Sequence, residues 1–532
     1  MSLSNLMMSA ALRGGRTAAT AIFMVVSFLD PVDAQLPVSG RPVPKLESLD
    51  QEMLDFMSAP GRTIGAGVLG VSRGGRVIFL RAYGRLRNND PLPETALFRI
   101  ASVTKPVTAA AIQKLVADGT LGTAGLARRV FNLNGNSGVL AVMPGSMGVG
   151  DVRFDQITIG HLLNHSAGWD RNPQPIANPW IQDYPITRVR DAGIAMNQPA
   201  NLPNRRQLMN WALGFPLDFA PGAASYQHLV PVPDSKPPTA TLQSGMPGAG
   251  WTYSNFGYLV LGEVLDTAAP GGYLGYVGAN ILSPSNWVPS TDWRLAATPQ
   301  AQLDPREPGY VSRLVGSSVY DYADPIDQVP LPYGGYHLET MMAHGGLIAS
   351  AQAMLRFGNL YSVGYTTTGV GAMQANSIGS PITSDSPMAP DASHTGALPG
   401  TSSILRQIGA GPGKDDDVVI YIAFNERDES EVNDDWAFAA SNSVLNRLNS
   451  VPLDGWPSAT CDGYWVDLGQ ENSNVGHGGY NSTFHGFQTS INRAGEGSYL
   501  RLKPGSQAWA GHITKRLVID APEGVVTLGR NP

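Results

Sequence analysis

Residues 98–121 read FRIASVTKPVTAAAIQKLVADGTL, and this stretch decides the fold. Within it, Ser102 and Lys105 are three positions apart, and apolar residues at helical spacing follow as far as Gly119. Positions i and i+3 lie on one face of a helix, so the Lys105 ammonium can lie beside the Ser102 hydroxyl. The N-terminus of a helix also favours negative charge that develops nearby. We therefore expect Ser102 to be an activated nucleophile at the start of a helix.

A serine and a lysine at this spacing also occur by chance, so the assignment depends on two motifs further along the chain. Tyr253-Ser254-Asn255 precedes an apolar helical face. His394-Thr395-Gly396 lies upstream of VVIYIAF (418–424), a continuous apolar run that predicts a buried strand. Motifs of the types S-x-x-K, Y-x-N and (K/H)-T-G, in this order, are expected of active-site serine enzymes that recognise penicillins.

In these motifs the chain resembles the class C β-lactamase family in its broad sense, which includes family VIII carboxylesterases and D-aminopeptidases. Flanking segments resemble the family as well, so the similarity spans residues 48–448. These segments are ITIGHLLNHSAGWD (157–170), PLDFAPG (216–222) and GGLIASAQAMLRF (345–357). The resemblance implies an α+β, β-lactamase/transpeptidase-like fold, in which helices flank an antiparallel sheet and a helical subdomain is added.

The resemblance also implies a role for each catalytic residue. Ser102 would be the acylated nucleophile, and Tyr253 would be the general base that accepts its proton. A free tyrosine has a pKa of about 10, so the charge of Lys105 would be needed to favour the phenolate. Asn255 would orient Lys105 and the acyl group of the substrate. The backbone N–H groups of Ser102 and Ala397 would form the oxyanion hole.

The substrate-binding edge follows from the third motif, and here the chain departs from the family pattern. The resemblance implies that His394, Thr395 and Gly396 line one edge of the substrate-binding site. Position 394 is a histidine, whereas true β-lactamases have a lysine. Residues 223–250 are rich in proline and glycine and separate PLDFAPG from the Y-x-N motif, where relatives have only a few residues. We interpret this segment as an insertion.

Both ends of the chain are predicted to lie outside the hydrolase domain. Arg13 and Arg16 precede the apolar run 18–29, and a small-x-small triplet ends at Ala34, which is the order of a secretory signal. We therefore expect residues 1–34 to be a signal peptide and the protein to be periplasmic or secreted. Residues 463–532 carry short, evenly spaced strand patterns and are expected to form a β-rich module. The pattern is compatible with rungs of a parallel β-helix or with a small accessory module of another kind.

The composition excludes several classes of protein. Charged residues make up 15% of the 532 residues, the net charge is −7, and no basic run is present, so we expect no nucleic-acid partner. The single cysteine, Cys461, excludes an intrachain disulfide. Beyond the signal, no run reaches the length that spans a bilayer, so we expect no stable membrane insertion. The sequence gives no oligomeric state.

Two competing patterns receive structural interpretations. Gly70-Val71-Ser72-Arg73-Gly74 matches G-x-S-x-G, but that motif needs a turn from a strand into a helix, and here a hairpin is predicted over 67–84. His161 and His165 are four residues apart, yet HLLNH lacks the glutamate of a zinc protease. With no other ligand cluster visible, we expect neither a metal nor a cofactor.

The sequence therefore predicts an exported serine hydrolase that cleaves an ester or a small amide through an acyl-enzyme on Ser102. β-Lactamase or D-amino-acid peptidase activity is the alternative, and a non-catalytic penicillin-binding-like protein is a further one. An ordinary histidine is mostly neutral above pH of about 6.5, so His394 favours uncharged esters over β-lactams, which carry a carboxylate.

Overall fold

The computed structural model describes the chain from Leu36 to Gly529 with internal gaps. Residues 1–34 and most of the 223–250 insertion lie outside the described residues, and so does Cys461. The gaps comprise residues 134, 136, 142–147, 171–188, 190–192, 195, 197–201, 224–252, 283–289, 321–327, 365–377, 384–385, 387, 411–416, 430–435, 452–463, 470–482, 494–498, 515–516 and 522–524.

The described helices range in length from five to fifteen residues. They are α1 (Glu47–Ser58), α2 (Thr104–Ala117), α3 (Ile159–Leu163), α4 (Arg205–Ala212), α5 (Asn255–Ala268), α6 (Gly272–Val277), α7 (Ala351–Leu360), α8 (Trp436–Ser450) and α9 (Phe487–Arg493). None of the described helices combines the length and the apolar character that crossing a membrane requires.

The described strands form one large sheet and several small ones. They are β1 (Val38–Ser39), β2 (Ala66–Arg73), β3 (Arg76–Gly84), β4 (Phe98–Arg99), β5 (Phe131–Asn132), β6 (Leu140–Ala141), β7 (Trp293–Leu295), β8 (Val315–Ser317), β9 (Gln328–Pro330), β10 (Leu347–Ala349), β11 (Ala392–Leu398), β12 (Thr401–Ile408), β13 (Val418–Phe424), β14 (Tyr464–Asp467), β15 (Phe484–His485), β16 (Tyr499–Leu502), β17 (Gly505–Gln507), β18 (Val518–Asp520) and β19 (Val526–Leu528).

The principal sheet has the order β1-β3-β2-β13-β12-β11, and every neighbouring pair is antiparallel. The hairpin predicted over 67–84 is confirmed. Its turn has Gly74 at φ 54° and Gly75 at φ 75°, values that glycine adopts without strain and that suit a tight hairpin. The strand predicted over 418–424 is β13, and it is buried along its whole length because it lies in the middle of the sheet.

Helices cover both faces of this sheet. Ile420 and Ile422 of β13 pack into one apolar cluster with α1 and α8, whereas Val419 and Tyr421 belong to a second cluster that includes α2, α5 and α7. Successive side chains of a strand point to opposite faces, so a continuous apolar strand needs cover on both sides. The predicted α+β architecture, an antiparallel sheet flanked by helices, is confirmed.

A second sheet, β4-β10-β7, lies next to the start of α2 and joins it to the rest of the domain. Arg99, at the end of β4, pairs with Ile348 of β10. The chain then turns through a short 3-10 helix, Ala101–Val103, into α2. Ser102 therefore lies in this turn, just ahead of the α-helix that the sequence predicts to begin there.

The C-terminal residues form strands that pair in parallel. β14 lies between β15 and β16, β16 also pairs with β18, and β17 pairs with β19. They enclose an apolar cluster of their own, to which Val466, Phe484 and Leu500 belong. The Arg356 guanidinium of α7 lies 5.3 Å from the ring centroid of Trp465 in β14. The division of the chain into a 48–448 domain and a 463–532 module stays a prediction, as does the β-helix interpretation.

Candidate active site

The nucleophile candidate is held on a strained turn. Ala101, immediately before Ser102, has φ 45°, a left-handed conformation that is uncommon for a residue with a Cβ. The turn is tied to the principal sheet because the Ile100 carbonyl accepts a hydrogen bond from Ser403 Oγ at 2.8 Å. Ser102 itself is half-buried, so its hydroxyl is supported by the protein and still reachable.

The Lys105 side chain is fully buried beside this hydroxyl. Its Nζ donates to Ser102 Oγ at 3.1 Å, to Asn255 Oδ1 at 2.8 Å and to the His344 carbonyl oxygen at 2.9 Å. An ammonium has three N–H donors, and these three neutral acceptors match them. The arrangement therefore stabilises a charged Lys105 at the nucleophile.

Tyr253 also contacts the hydroxyl of Ser102. Its hydroxyl donates to Ser102 Oγ at 2.8 Å, and Lys105 Nζ lies 4.7 Å from the centroid of its ring. The nearby positive charge favours the phenolate. In the phenolate form the same contact reverses, and Ser102 donates its proton to Tyr253. The structure thus brings Ser102 and Lys105 together with Tyr253 and Asn255, which the sequence places 151 and 150 residues from the groups they contact.

The start of α5 explains why the Y-x-N residues project together. Ser254 is the N-cap of this helix, and its Oγ accepts a hydrogen bond from the Gly257 N–H at 3.0 Å. Serine is among the best residues at this position because it satisfies an N–H that the helix leaves without a partner. Tyr253 therefore comes immediately before the cap and Asn255 in the first helical position, so both reach the same site.

The third motif lies on β11, which is at one edge of the principal sheet in the described part of the chain. A Cβ at Gly396 would lie 2.3 Å from the Ile100 carbonyl oxygen and 2.9 Å from the Ser102 nitrogen. Only glycine allows this approach. It brings the neighbouring Ala397, which is exposed, to the nucleophile's turn, where the oxyanion hole is predicted. Thr395 lies on the opposite face of the strand from Gly396.

His394 shares the inward face of β11 with Gly396 and is 4% exposed. Its Nδ1 is 2.9 Å from the Thr395 carbonyl oxygen. Burial, together with the charge of Lys105, lowers the pKa of His394 to about 3. The imidazole is therefore neutral near pH 7, and a smaller fraction of it is protonated than in an ordinary histidine.

Two further histidines contact Lys105 or Tyr253. His344 supplies a carbonyl to Lys105, and its own ring is buried, which together with the charges of Lys105 and Arg205 lowers the pKa of His344 well below its usual value. His165 packs its ring against Tyr253, with centroids 4.7 Å apart. His344 was not predicted from the sequence, where its only signal is that it directly precedes the segment 345–357. His165 was predicted to have a structural role.

A buried arginine supports the strand that leads to the nucleophile. The Arg99 guanidinium donates to the Pro332 carbonyl at 2.8 Å and lies 4.1 Å from the ring centroid of Tyr310. Its Nε is 3.9 Å from Glu307, which is itself fully buried. The Tyr310 hydroxyl donates a hydrogen bond to Glu307 and accepts one from the backbone N–H of Arg99 at 3.1 Å. Arg99 thus ties β4 to two neighbouring loops.

The competing patterns lie elsewhere. Ser72 is fully buried in β2 and donates to Asn359 Oδ1 at 3.1 Å, so it has no access to a substrate. His161 belongs to the N-terminal cap of α3, where its Nδ1 accepts a hydrogen bond from the Thr158 N–H. Over the described residues, no group of three or more His, Cys, Asp or Glu side chains could hold a metal ion.

Comparison with known proteins identifies the family of this chain. The family model described as Beta-lactamase matches residues 51–442. The chain belongs to the β-lactamase family. The resemblance found in the motifs is thereby confirmed, and the matched range contains all of the candidate site residues.

Among curated relatives, penicillin-binding protein 4* of Bacillus subtilis (strain 168) is 24% identical to this β-lactamase-family chain over 264 residues. That match covers 49% of this chain and 45% of the relative, so it spans less than half the length of either protein.

Solved structures of similar proteins include the octameric penicillin-binding protein homologue from Pyrococcus abyssi, with a TM-score of 0.48, 16% identity and coverage of 77% of this chain and 79% of that one. They also include the D-amino acid amidase from Ochrobactrum anthropi SV3, with a TM-score of 0.47, 17% identity and coverage of 76% and 100%.

Proposed function

We propose that this protein is an exported serine hydrolase that cleaves uncharged carboxylic esters, and small amides less readily, through an acyl-enzyme on Ser102. The observation that carries the proposal is the position of the Ser102 hydroxyl, 3.1 Å from the Lys105 ammonium and 2.8 Å from the Tyr253 hydroxyl. A nucleophile within hydrogen-bond reach of its base, with the base in turn under a fixed charge, is the arrangement that covalent catalysis needs.

In the first half-reaction, Ser102 Oγ attacks the ester carbonyl while its proton passes to Tyr253. The carbonyl oxygen becomes an oxyanion, for which the N–H groups of Ser102 and Ala397 are the proposed donors. When the C–O bond breaks, Tyr253 returns the proton to the departing alcohol, and the acyl group stays on Ser102. One hydrogen-bond donor to the oxyanion typically contributes about 100- to 1,000-fold to kcat.

In the second half-reaction, water replaces the alcohol. Tyr253 takes a proton from the water, the hydroxide attacks the acyl carbon, and the carboxylic acid leaves as Ser102 recovers its proton. Lys105 remains charged throughout and stabilises the phenolate in both steps. Asn255 and the His344 carbonyl hold Lys105 in place through hydrogen bonds of 2.8 and 2.9 Å.

The preference for uncharged substrates rests on His394. Burial and the charge of Lys105 lower the pKa of its ring to about 3, so the ring is neutral. A substrate carboxylate at this edge would therefore meet a neutral imidazole, where a permanently charged lysine could form a charge-assisted hydrogen bond. This supports a neutral ester in preference to a β-lactam.

β-Lactamase or D-amino-acid peptidase activity is the second candidate, and membership of the β-lactamase family is the observation that favours it. A non-catalytic penicillin-binding-like role is the third. It is disfavoured because a binding protein has no need of both a base and a buried ammonium on its serine. Export is supported by the pattern of residues 1–34.

The experiment is a substrate panel on the purified protein. It uses p-nitrophenyl esters of increasing acyl length, nitrocefin and D-alanyl anilides, each with wild type, Ser102→Ala and the control Ser72→Ala. The proposal expects ester turnover in wild type and Ser72→Ala, none in Ser102→Ala, and weaker activity on the other two substrates. Nitrocefin or anilide turnover that exceeds ester turnover would favour the second candidate, and no turnover of any substrate would favour the third.

A further inference from the structure

His165 lies at the end of α3 in an unusual backbone conformation. It has φ 56°, in the left-handed region, and it is 1% exposed. Left-handed residues often end helices, but glycine or asparagine is preferred there. The conformation directs the imidazole onto two aromatic rings, with centroids 4.7 Å from Tyr253 and 5.1 Å from Tyr258. A residue less suited to the backbone thus occupies a position in contact with the candidate base.

The same imidazole bonds to the backbone of the Y-x-N motif. The Ser254 N–H donates to His165 Nδ1 at 3.1 Å. Ser254 is the middle residue of the motif, and its neighbours on either side, Tyr253 and Asn255, contact Ser102 and Lys105. His165 therefore fixes the peptide from which the base side chain projects, and it packs on the ring of that side chain as well.

We propose that His165 is a positioning residue for Tyr253, which keeps the phenol oxygen within reach of Ser102 and its ring within reach of the Lys105 charge. The proposal rests on the proposed function in that it takes Tyr253 to be the base. The hydrogen bond at Nδ1 places the ring proton on Nε2, so the imidazole is neutral. It acts on Tyr253 through geometry and leaves Lys105 as the charge that favours the phenolate.

The titratable groups around Tyr253 are on several elements. Lys105 on α2 and His165 after α3 each lie 4.7 Å from its ring centroid. Tyr258 on α5 has its pKa raised by burial and by Tyr253. Burial and the charge of Lys105 lower the pKa of both His344 and His394, so both are neutral near pH 7. A displaced Tyr253 would lose contact with the cation among these groups, so its pKa would rise.

Two substitutions separate positioning from simple packing. In His165→Asn the amide oxygen can take the place of Nδ1, and asparagine tolerates a left-handed φ. In His165→Phe the aromatic packing on Tyr253 is kept, but the acceptor for the Ser254 N–H is lost. His161→Asn, within α3 and with no contact to Tyr253 found among the described residues, is the control for loss of a histidine.

The first measurement uses the full chain and compares hydrolysis of a p-nitrophenyl ester over a range of pH. We expect His165→Phe to lose about 10- to 100-fold in kcat, as displaced catalytic groups do, with little change in KM. The acid limb of its pH profile should move to higher pH. His165→Asn and His161→Asn should stay within a few-fold of wild type. Should the phenylalanine variant fail to fold, His165→Gly removes the same acceptor without a left-handed penalty.

The second measurement needs no substrate and keeps the two proposals separable. NMR of protein that contains 13C-labelled tyrosine follows the titration of Tyr253 in wild type and in His165→Phe. The spectrum of Tyr253→Phe assigns the signal. We expect a higher midpoint in the variant, whether or not the ester panel shows activity. An unchanged titration midpoint of Tyr253 would overturn the positioning role. So would a loss of kcat that only matches the loss of folded protein and leaves the pH profile of activity as in wild type.

Discussion

Gly396 and Ser102 are in direct contact through their backbones: a Cβ at position 396 would come within 2.9 Å of the Ser102 nitrogen. The same Cβ would lie 2.7 Å from Ser403 Oγ, which holds the Ile100 carbonyl in front of the nucleophile. The glycine of the third motif thus allows an edge strand to lie against the turn that carries the serine. This contact places Ala397, the next residue of the strand, beside that turn, and the N–H groups of Ser102 and Ala397 are the proposed donors to the carbonyl oxygen of a substrate.

A methyl group at this contact should be costly for catalysis. Gly396→Ala would force β11 away from Ser102 and displace the proposed oxyanion donor of Ala397. We expect kcat/KM for an ester to fall by about 100-fold or more, while overpacking lowers the free energy of unfolding by about 1–3 kcal/mol. Ser393→Ala, on the other face of the same strand, is the control and should behave as wild type. Activity within a few-fold of wild type in Gly396→Ala would argue against an oxyanion hole at this contact.

Position 394 should control the charge preference of the site. His394→Lys places a cation at the edge of the proposed substrate site and should move the ratio of the two kcat/KM values from a neutral ester toward a carboxylate-bearing β-lactam. His394→Gln, which stays neutral, is the matched control and should leave the ratio in place. Steady-state kinetics on both substrates provides the ratio. If lysine leaves it unmoved, carboxylate anchoring at this position does not set specificity.

The stability of the protein should depend on His394 in acid. The folded-state pKa of about 3 is below the ordinary value of 6.5, so between these values the unfolded chain binds a proton that the folded chain does not. Stability therefore falls as the pH is lowered through this window, by at most about 1.4 kcal/mol per pH unit for one such group. Asp218, whose pKa is raised to about 6 by burial, acts in the opposite direction over part of the window.

Chemical denaturation at a series of pH values measures this slope. His394→Gln should flatten the acid side of the wild-type curve, because it removes one group that gains a proton on unfolding. His161→Gln is a useful comparison, since His161 is only half-buried. Superimposable wild-type and His394→Gln curves would mean that His394 is protonated in the folded protein as readily as in the unfolded one.

The buried Arg99 should be a stability determinant. Arg99→Leu leaves the Glu307 carboxylate buried beside an apolar side chain, and breaking a buried pair in this way typically lowers the free energy of unfolding by about 3–5 kcal/mol. Adding Glu307→Gln in the same chain removes the uncompensated charge and should recover part of the loss. Thermal or urea unfolding of the single and double variants gives both numbers. A single variant as stable as wild type would show that the ion pair contributes little.

Much of the fold could be predicted because the signals are local. The hairpin of β2 and β3 follows from its Gly74-Gly75 turn, and β13 and α8 follow from apolar runs whose lengths suit a strand and a helix. The contact between Ser102 and Lys105 could be predicted from their spacing at a helix start, and their proximity to Tyr253 from the resemblance to the family. The start of α2 differs slightly, because Ser102 occupies a 3-10 turn ahead of it.

The supporting contacts could not be predicted, since they join distant parts of the chain. His344 acts on Lys105 through a backbone carbonyl, and any residue type has one of those. His165 contacts Tyr253 only because its backbone is left-handed, and the identity of a histidine does not reveal that conformation. The strain at Ala101 is likewise invisible in sequence.

The most direct test of the account is to find which serine is acylated. Wild type, Ser102→Ala and Ser72→Ala are treated with a fluorophosphonate, digested and analysed by peptide mass mapping. We predict an adduct on the peptide that contains Ser102 in wild type and Ser72→Ala, and neither adduct nor ester turnover in Ser102→Ala, since loss of a nucleophile typically lowers kcat by several orders of magnitude. An adduct on the Ser72 peptide, with Ser102 unmodified, would contradict the account.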